Sequence, residues 1–232
     1  MGPLKDIKIF DLTRVLAGPH CTQILGDLGA DIIKVERVEN GDDTRKFAPP
    51  FMKDENGKDT DQSAYFSGTN RNKRSITLNL NSPEGQYIAK QLIAKSDILV
   101  ENFKVGTLAK YGLDYNTLKD EFPSLIYCSI TGFGQTGPYS KRPAYDALVQ
   151  AMGGVMSLTG DANGEPMKVG VSIADLMAGM YGTVSILAAL RHRDKTNEGQ
   201  HLDISMLDAH VAWLANQGMN YLATNENPER LG

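Results

Sequence analysis

The chain has 232 residues, which at roughly 150 residues per domain corresponds to one large domain, or to one domain with a fragment of another. Its composition of 41% hydrophobic and 22% charged residues is ordinary for a folded protein and excludes a disordered or fibrous chain. The formal net charge of −4 lacks the basic surplus that is typical of nucleic-acid-binding proteins. Any anion-binding site must therefore be local, and we expect no nucleic-acid partner.

Cysteine usage and the apolar stretches bear on location. Cys21 and Cys128 are far apart in sequence and form no CxxC pair, so they predict a reducing, cytoplasmic setting without a disulfide framework. Residues 1–12 lack a basic stretch followed by a long apolar run and predict neither a signal peptide nor a membrane anchor. The apolar stretch 172–190 is interrupted by Asp175 and several glycines, so it predicts a buried helix. We expect no membrane partner.

The predicted elements alternate between strand and helix. In chain order they are a strand at 7–12, a helix that begins at Pro19 and is capped by Gly29, strands at 31–36 and 75–80, a helix at 83–95 capped by Ser82, a strand at 97–100, a helical turn around Leu108, a strand at 125–130, helices at 145–152 and 173–193, a strand at 201–205 and a helix at 208–222. The polar segment 40–72 is predicted to be a long functional or mobile loop, and 160–164 a turn-rich connector. This alternation predicts an α/β class with a Rossmann-like open, mostly parallel sheet that has helices on both faces.

Several common sites are absent from the sequence. The histidines show no metal-ligand spacing with one another or with the cysteines; they are His20, His192, His201 and His210. No GxSxG or Walker loop occurs. The loop 13–18 reads TRVLAG and lacks the GxGxxG pattern, so a Rossmann-like fold alone gives no reason to expect NAD. We expect neither a metal nor NAD.

The start of the predicted helix at 173–193 is the most informative segment. Ser172 and Asp175 have the spacing of a capping box. Two interpretations remain open. In the first, Asp175 only caps the helix. In the second, the helix N-terminus keeps a buried carboxylate charged and so available as a nucleophile, and the small residues Ala174, Ala178 and Gly179 let a bulky ligand approach.

A set of basic residues is predicted in or beside the loops that follow strands, at the edge where open α/β sheets bind ligands. The set consists of Lys34, Arg37, Arg45, Lys46, Arg71, Lys73, Arg74, Lys104 and Lys110. Its clustering favours a site for a phosphorylated cofactor, although a solvated charged rim explains any single member. The glycines of the TGFGQTGP segment and the pair at 153–154 allow tight turns or a close backbone approach, with or without a functional reason.

Six ordered blocks resemble the class III CoA-transferases, the family that includes formyl-CoA:oxalate CoA-transferase and carnitine CoA-transferase. The blocks are DLTRVLAGPHCTQILGDLGADIIKVER, NRNKRSITLNL, DILVENFKVGTLAKYGL, LIYCSITGFGQTGPY, PAYDALVQAMGG and SIADLMAGMYG, and they run through nearly the whole chain. The resemblance implies that Asp175 is the catalytic nucleophile, which moves CoA from an acyl-CoA to a free carboxylic acid through an aspartyl mixed anhydride and an aspartyl-CoA thioester. It also implies that residues 1–232 are the large CoA-binding domain of a longer family chain without its small domain, and that the family forms interlocked homodimers.

The same resemblance implies a set of residues that bind coenzyme A. Val15, Leu16 and Ala17 would line the pocket by backbone contact, Arg37 would meet the adenosine end, Leu78, Asn79, Leu80 and Asn81 would follow the nucleotide, Asn102, Phe103 and Lys104 would lie along the cofactor, Lys110 would approach its phosphates, and Ala144, Tyr145 and Asp146 would lie near the pantetheine. Two positions depart from the formyl-CoA branch, which can carry lysine at Pro143 and holds glutamine at Leu16. We therefore expect a dicarboxylate-using or carnitine-type branch instead of the oxalate branch.

Two alternatives remain open at this point. An α-methylacyl-CoA racemase shares the fold and the aspartate, but it needs a histidine base near the position of Tyr145. Tyrosine side chains, with an ordinary pKa of about 10, are poor bases at neutral pH. The other alternative is a non-catalytic CoA-binding or scaffold fragment in which Asp175 merely caps its helix.

Overall fold

A computed structural model describes residues 2–230 of the chain. The strands are β1 (Lys8–Asp11), β2 (Asp31–Glu36), β3 (Phe51–Lys53), β4 (Asp59–Ser63), β5 (Lys73–Thr77), β6 (Ile98–Glu101), β7 (Ile126–Thr131) and β8 (His201–Ser205). The helices are α1 (Ala17–Asp27), α2 (Ala64–Asn70), α3 (Pro83–Ile93), α4 (Tyr115–Leu118), α5 (Asp146–Met152), α6 (Val155–Leu158), α7 (Ile173–Thr196), α8 (Met206–Ala212) and α9 (Ala215–Thr224). Short 3-10 turns occupy 43–46 and 108–111.

Six of the strands form one parallel sheet in the order β5-β2-β1-β6-β7-β8. The chain starts in the middle of the sheet, moves outward through β2 and β5, and then returns to the other side of β1 to build β6, β7 and β8. This order is that of the doubly wound Rossmann fold, and it confirms the predicted class. The direction of winding changes between β1 and β6, so the carboxyl ends of these two strands mark the crevice where open α/β sheets bind ligands.

Helices cover both faces of the sheet, because successive side chains of a buried strand point to opposite sides. In β1, Ile9 belongs to the core formed with α1 and α7, whereas Phe10 belongs to the core formed with α3 and the 108–118 segment. In β6 the same alternation sends Leu99 to the side of Phe10 and Val100 to the side of Ile9. A single sheet thus supports two apolar cores.

The packing of α7 against α1 depends on a glycine in α7, Gly179. A Cβ atom added to Gly179 would lie 2.7 Å from the Ala17 carbonyl oxygen, so only glycine permits this approach. Ala174 and Ala178 are likewise fully buried in the core on this side of the sheet. The expectation that these small residues admit a ligand was therefore wrong, because they admit the neighbouring helix.

The segment 40–72 is not the structureless loop that its composition predicted. It contains a 3-10 turn capped by the Asp42 side chain, the antiparallel hairpin β3–β4, and α2, which is capped by the Ser63 hydroxyl. The hairpin is mostly exposed and polar, so it carries no hydrophobic alternation from which a strand could be predicted. Turn and cap chemistry, not burial, shapes most of this segment.

The other boundaries differ less. α1 begins at Ala17 instead of Pro19, and β5 covers 73–77 instead of 75–80. The single helix predicted at 208–222 is divided into α8 and α9, with Ala215 in a left-handed conformation at the break.

α7 is the one helix in residues 2–230 that is long and apolar enough to cross a membrane by length and composition. Its residues Ala178, Ile186 and Leu190 are buried in the core between α1 and the sheet. Those contacts are typical of a core helix, as its interrupted apolar run predicted.

Candidate active site

The loops that follow β1 and β6 meet at the point where the winding of the sheet changes. The Arg14 backbone N–H donates to Asn102 Oδ1 at 2.9 Å, and Asn102 Nδ2 donates to the Arg14 carbonyl oxygen at 2.7 Å. These two hydrogen bonds continue the link between β1 and β6 beyond the last backbone pairing of the two strands. They fix the relative position of the two loops that line the cavities described next.

A cavity of about 230 Å³ lies between these loops and the start of α7, and we call it the inner cavity. Its lining includes Arg14, Val15, Ala17, Asn102, Phe103, Lys104, Arg142, Ala144, Tyr145 and Asp175. Asp175 is the one carboxylate in that lining. Tyr145 is 78% exposed, which places it at the rim.

A larger cavity of about 670 Å³ continues from the first, and we call it the outer groove. Its lining includes Arg14, Arg37, Leu78, Asn79, Leu80, Asn81, Phe103, Lys104, Thr107 and Tyr111. Arg14, Phe103 and Lys104 line both spaces, so the two form one continuous path. The outer groove has apolar walls, two aromatic rings (Phe103 and Tyr111), three cations (Arg14, Arg37 and Lys104) and two carboxylates (Glu36 and Glu39). Its apolar walls and its cations suit a long ligand that carries phosphates at one end.

Most residues of the expected coenzyme A site therefore line this path, but three do not. Leu16 is buried beneath the inner cavity lining instead of facing it, Lys110 is exposed on the 3-10 turn beside the outer groove, and Asp146 lies behind Asp175. Asp146 instead holds the start of α7, because its Oδ1 accepts from the Ala174 N–H at 2.8 Å and from the Asp175 N–H at 3.4 Å. The contribution of Asp146 is thus to the position of Asp175.

The expected capping box at Ser172 and Asp175 is not formed. Ser172 makes no capping bond with its side chain, and Asp146 of α5 caps the helix in its place. This leaves the Asp175 carboxyl free of a capping role and directed into the inner cavity. The capping-box bond that the first interpretation of Asp175 assumed is therefore not formed.

The electrostatics of Asp175 also differ from expectation. Burial and the neighbouring Asp146 carboxylate raise the pKa of Asp175 to about 7, while the backbone N–H of Ala17, which faces the carboxylate, lowers it. We expected the helix N-terminus to keep this group fully charged. Instead desolvation and the like charge dominate, and the carboxyl is poised between its two protonation states near neutral pH.

The basic set predicted at the strand ends is dispersed. Lys34 and Lys73 are fully buried, where they pair with Asp42 at 2.8 Å and with Asp11 at 3.1 Å. Arg45 binds the buried Glu36, while Arg71 and Arg74 bind Asp27 and Asp31 next to the opposite, amino edge of the sheet. Of the nine, only Arg37 and Lys104 line the outer groove.

Sequence reasoning missed Arg14. Its guanidinium lies 5.0 Å from the centre of the Phe103 ring and contributes to both the inner cavity and the outer groove. Arg14 lies in the loop after the first predicted strand. The reason to include Arg14 was therefore the same as the reason to include the nine basic residues of the predicted set. Asp42 was also missed, since nothing local in its sequence predicts a contact with the loop after β1.

Within residues 2–230, no group of three or more His, Cys, Asp or Glu side chains could hold a metal ion. None of the four histidines lines the inner cavity or the outer groove. Cys21 and Cys128 are both buried as free thiols, and burial raises the pKa of Cys21 to about 12.

The sequence model described as CoA-transferase family III matches residues 4–232. The chain belongs to this family. It is 52% identical over 230 residues to a succinate–glutarate CoA-transferase of Agrobacterium fabrum, an alignment that covers 99% of this chain and 57% of that protein. It is 46% identical over 230 residues to the human succinyl-CoA:glutarate CoA-transferase, with 99% of this chain and 51% of the relative covered.

The fold also matches that of a solved structure with a similar sequence identity. The crystal structure of a CAIB/BAIF family protein from Brucella suis superimposes with a TM-score of 0.94 at 51% identity, over 100% of this chain and 60% of that one. The chain therefore spans a little over half the length of the relatives it matches.

Proposed function

We propose that the protein is a CoA-transferase that moves CoA from an acyl-CoA thioester to a free carboxylic acid through a covalent intermediate on Asp175. One observation carries the proposal: the single carboxylate of the inner cavity opens into a groove with the size, apolar walls and cations that suit coenzyme A. Membership of the family, whose relatives act as CoA-transferases by name, supports the same activity.

The proposed reaction runs through Asp175 in balanced steps. A carboxylate oxygen of Asp175 attacks the thioester carbonyl carbon, the C–S bond breaks, and the sulfur leaves with the electron pair as CoA thiolate. The thiolate then attacks the Asp175 carbonyl carbon of this mixed anhydride, which releases the donor acid and leaves an aspartyl-CoA thioester. The acceptor carboxylate repeats these exchanges in reverse order, so Asp175 is regenerated and new acyl-CoA leaves.

The raised pKa of Asp175 has a defined consequence for this chemistry. Only the carboxylate form can attack, so the rate is expected to rise as the pH passes through about 7. A carboxylate that is poorly solvated is also a better nucleophile than one in water, because it does not have to shed a full hydration shell.

The acid acceptor is proposed to be a dicarboxylate. Three cations, Arg14, Lys104 and Arg142, line the inner cavity, and none of them is a partner of Asp175. They favour an acyl group that carries a second negative charge. The names of the two relatives, which join succinate and glutarate to CoA transfer, support this substrate class.

The two alternatives are less well supported. A racemase needs a second base opposite the aspartate, and the rim residue at the relevant position is Tyr145, with no histidine in the described lining of the cavity. A non-catalytic fragment would give no functional reason for Asp175 to be a single, poorly solvated carboxylate in the inner cavity.

The assembly and location are proposed on separate grounds. A homodimer is supported by exposed apolar residues on the outer side of α7, which are Met180, Tyr181, Val184 and Leu187. A cytoplasmic location is supported by two free, buried thiols that are not paired as a disulfide.

The test uses the complete natural protein that contains this chain. Wild-type protein is incubated with acyl-CoA donors and with succinate, glutarate, oxalate and carnitine as acceptors, and the products are read by mass spectrometry. We expect Asp175→Ala to lose exchange while folding and CoA binding persist, and hydroxylamine to trap the anhydride on wild type only.

Asp194→Ala is the matched control, because Asp194 is an exposed acid on the same helix roughly 28 Å from Asp175 at 1.5 Å per residue. It should keep full exchange. Unchanged exchange in Asp175→Ala would overturn the proposal, and release of tritium from a 2-methylacyl-CoA would indicate racemisation.

A further inference from the structure

We infer that the buried Lys34–Asp42 pair is a positioning device for Asp175: it holds the strained Val15 backbone so that Ala17, at the start of α1, keeps its place beside Asp175 in the lining of the inner cavity. The inference rests on the proposed function, and neither Lys34 nor Asp42 lines the inner cavity or the outer groove.

The strain lies at Val15. Its φ of 69° places it in the left-handed region, which a β-branched residue adopts only when its surroundings impose it. Strained backbone of this kind is concentrated at functional sites, where the surrounding structure holds it in place. Val15 is two residues before Ala17 and lines the inner cavity with Asp175.

The restraint on Val15 comes from a distant part of the chain. Asp42 Oδ1 accepts from the Val15 N–H at 3.3 Å, and Lys34 Nζ lies 2.8 Å from Asp42 Oδ2 and donates to the Thr13 carbonyl oxygen at 2.8 Å. Asp42 and Lys34 are almost completely buried. Together with Asn102, which holds both polar backbone groups of Arg14, they bind three consecutive residues of the loop.

The geometry beyond Val15 links the restraint to the nucleophile. The chain passes through Leu16 into the first turn of α1, where the Ala17 N–H has no partner within the helix and Ala17 lines the inner cavity together with Asp175. The same N–H lowers the pKa of Asp175. If Val15 relaxed to a negative φ, the direction of the chain into Ala17 would change. The loss would be of position at the nucleophile, without loss of the ligand-binding groove.

Asp42 also has a structural role, which the test must separate. Its Oδ1 accepts from the Thr44 N–H at 2.9 Å and from the Thr44 hydroxyl at 2.8 Å, and so caps the 3-10 turn. A variant that merely disturbs this turn would lose stability but would not respond to the conformational preference of Val15.

The experiment therefore uses a rescue. In the complete protein, Lys34→Met/Asp42→Ala removes both charges together and leaves no lone buried ion. We expect kcat to fall about 10- to 100-fold with little change in KM for acyl-CoA, since small misplacements of reacting groups have effects of this size. Adding Val15→Gly to this double variant should raise its kcat about tenfold, because glycine adopts positive φ without strain.

The control is Asp97→Ala/Arg193→Met, which removes a 2.9 Å ion pair at the opposite, amino edge of the sheet. It should not lower kcat of the folded protein, and Val15→Gly should not improve it. If the double variant of Lys34 and Asp42 fails to fold, Lys34→Gln/Asp42→Asn replaces it, which also leaves no lone buried ion, with a smaller loss and the same rescue expected.

A second measurement does not depend on catalysis. Carbon-13 NMR titration of the Asp175 carboxyl should show a higher pKa in Lys34→Met/Asp42→Ala than in wild type, because the Ala17 N–H that favours the charged form is displaced. The other groups near Asp175 stay in place in this variant: Asp146, Tyr65, and the cavity cations Arg14, Lys104 and Arg142.

The outcomes separate the two claims. An inactive wild type would overturn the proposed function, while the titration would still decide the positioning. An unshifted titration, or a loss of kcat that Val15→Gly leaves unchanged and that follows only the folded fraction, would overturn the positioning and leave the transferase assignment intact.

Discussion

Two groups of carboxylates lie at the carboxyl edge of the sheet, one buried and one partly buried, and they differ in whether a cation faces them. In the first group, Asp11, Glu36 and Asp42 pair with Lys73, Arg45 and Lys34 at 3.1, 2.7 and 2.8 Å. In the second, Asp175 has Asp146 as its charged neighbour and no cationic partner among the described residues.

The pKa values follow this difference. Burial raises the pKa of Glu36, but Arg45, Ser75 and the Asp42 N–H outweigh it and lower the pKa to about 2. For Asp175 burial and Asp146 act in the same direction, and the pKa rises to about 7. Glu36 and Asp175, at one edge of one sheet, thus differ in the direction of their pKa shifts because their partners differ.

Glu101 shows that a raised pKa is not sufficient for function. Burial raises its pKa to about 7 as well, but its Oε2 accepts from the Phe103 N–H at 2.7 Å and the residue does not line the inner cavity. Position within the inner cavity distinguishes Asp175 from Glu101.

The largest expected effect is a loss of stability when one of the buried carboxylates loses its cationic partner. Lys34→Met leaves Asp42 buried without its cation, and we expect a loss of about 3–5 kcal/mol in the free energy of unfolding, measured by urea denaturation at pH 7. The exposed pair Arg74–Asp31 is the control, since Arg74→Met should cost no more than about 1 kcal/mol. Equal losses in both variants would remove the distinction between the two kinds of pair.

The second expected effect is a gain in the free energy of unfolding when the charge of Asp175 is removed. Because the folded pKa of Asp175 is raised to about 7, its ionisation destabilises the fold as the pH rises from about 4 towards 7. Asp175→Asn should therefore raise the free energy of unfolding by about 1–2 kcal/mol at pH 8 while abolishing exchange. The gain should vanish below about pH 4; a gain that does not change with pH would contradict the explanation.

The third effect concerns Asp146. Asp146→Asn keeps the oxygen that caps α7 but removes the like charge, so the pKa of Asp175 should fall and the acidic limb of kcat/KM should move to lower pH. Gln150, which donates to Asp146 Oδ2 at 2.6 Å, offers the matched control. Gln150→Glu should move the limb to higher pH, and a shift in the same direction in both variants would refute the electrostatic explanation.

The smallest effect is at acid pH. The folded pKa of Glu36 is depressed to about 2, so its contribution to stability is present above its ordinary value of 4.5 and is lost as the pH falls from there towards 2. Glu36→Gln should be less stable than wild type at pH 6, and the difference in melting temperature should shrink across this interval. A constant difference would show that Glu36 acts without its charge.

Much of the fold could be predicted from the sequence because its elements are short, apolar and bounded by caps such as Ser82 and Pro83. Most of the residues that the ordered blocks identified also line the inner cavity or the outer groove. The contacts of Lys34 with Asp42, and of Asp146 with the start of α7, could not be predicted. They join residues whose pairing depends on the tertiary fold and not on any local pattern, and the pKa of Asp175 depends on its neighbour Asp146.

The bare α-carbon of Gly179 has a consequence for how the chain could change over time. Asp175 and Ala17 belong to different helices, and the spacing of those helices is set where Gly179 meets the Ala17 carbonyl oxygen. A single added methyl group there would press on the Ala17 carbonyl oxygen and push α7, which carries Asp175, away from α1. The position of Asp175 in the inner cavity is therefore sensitive to substitution at a glycine outside the lining of that cavity.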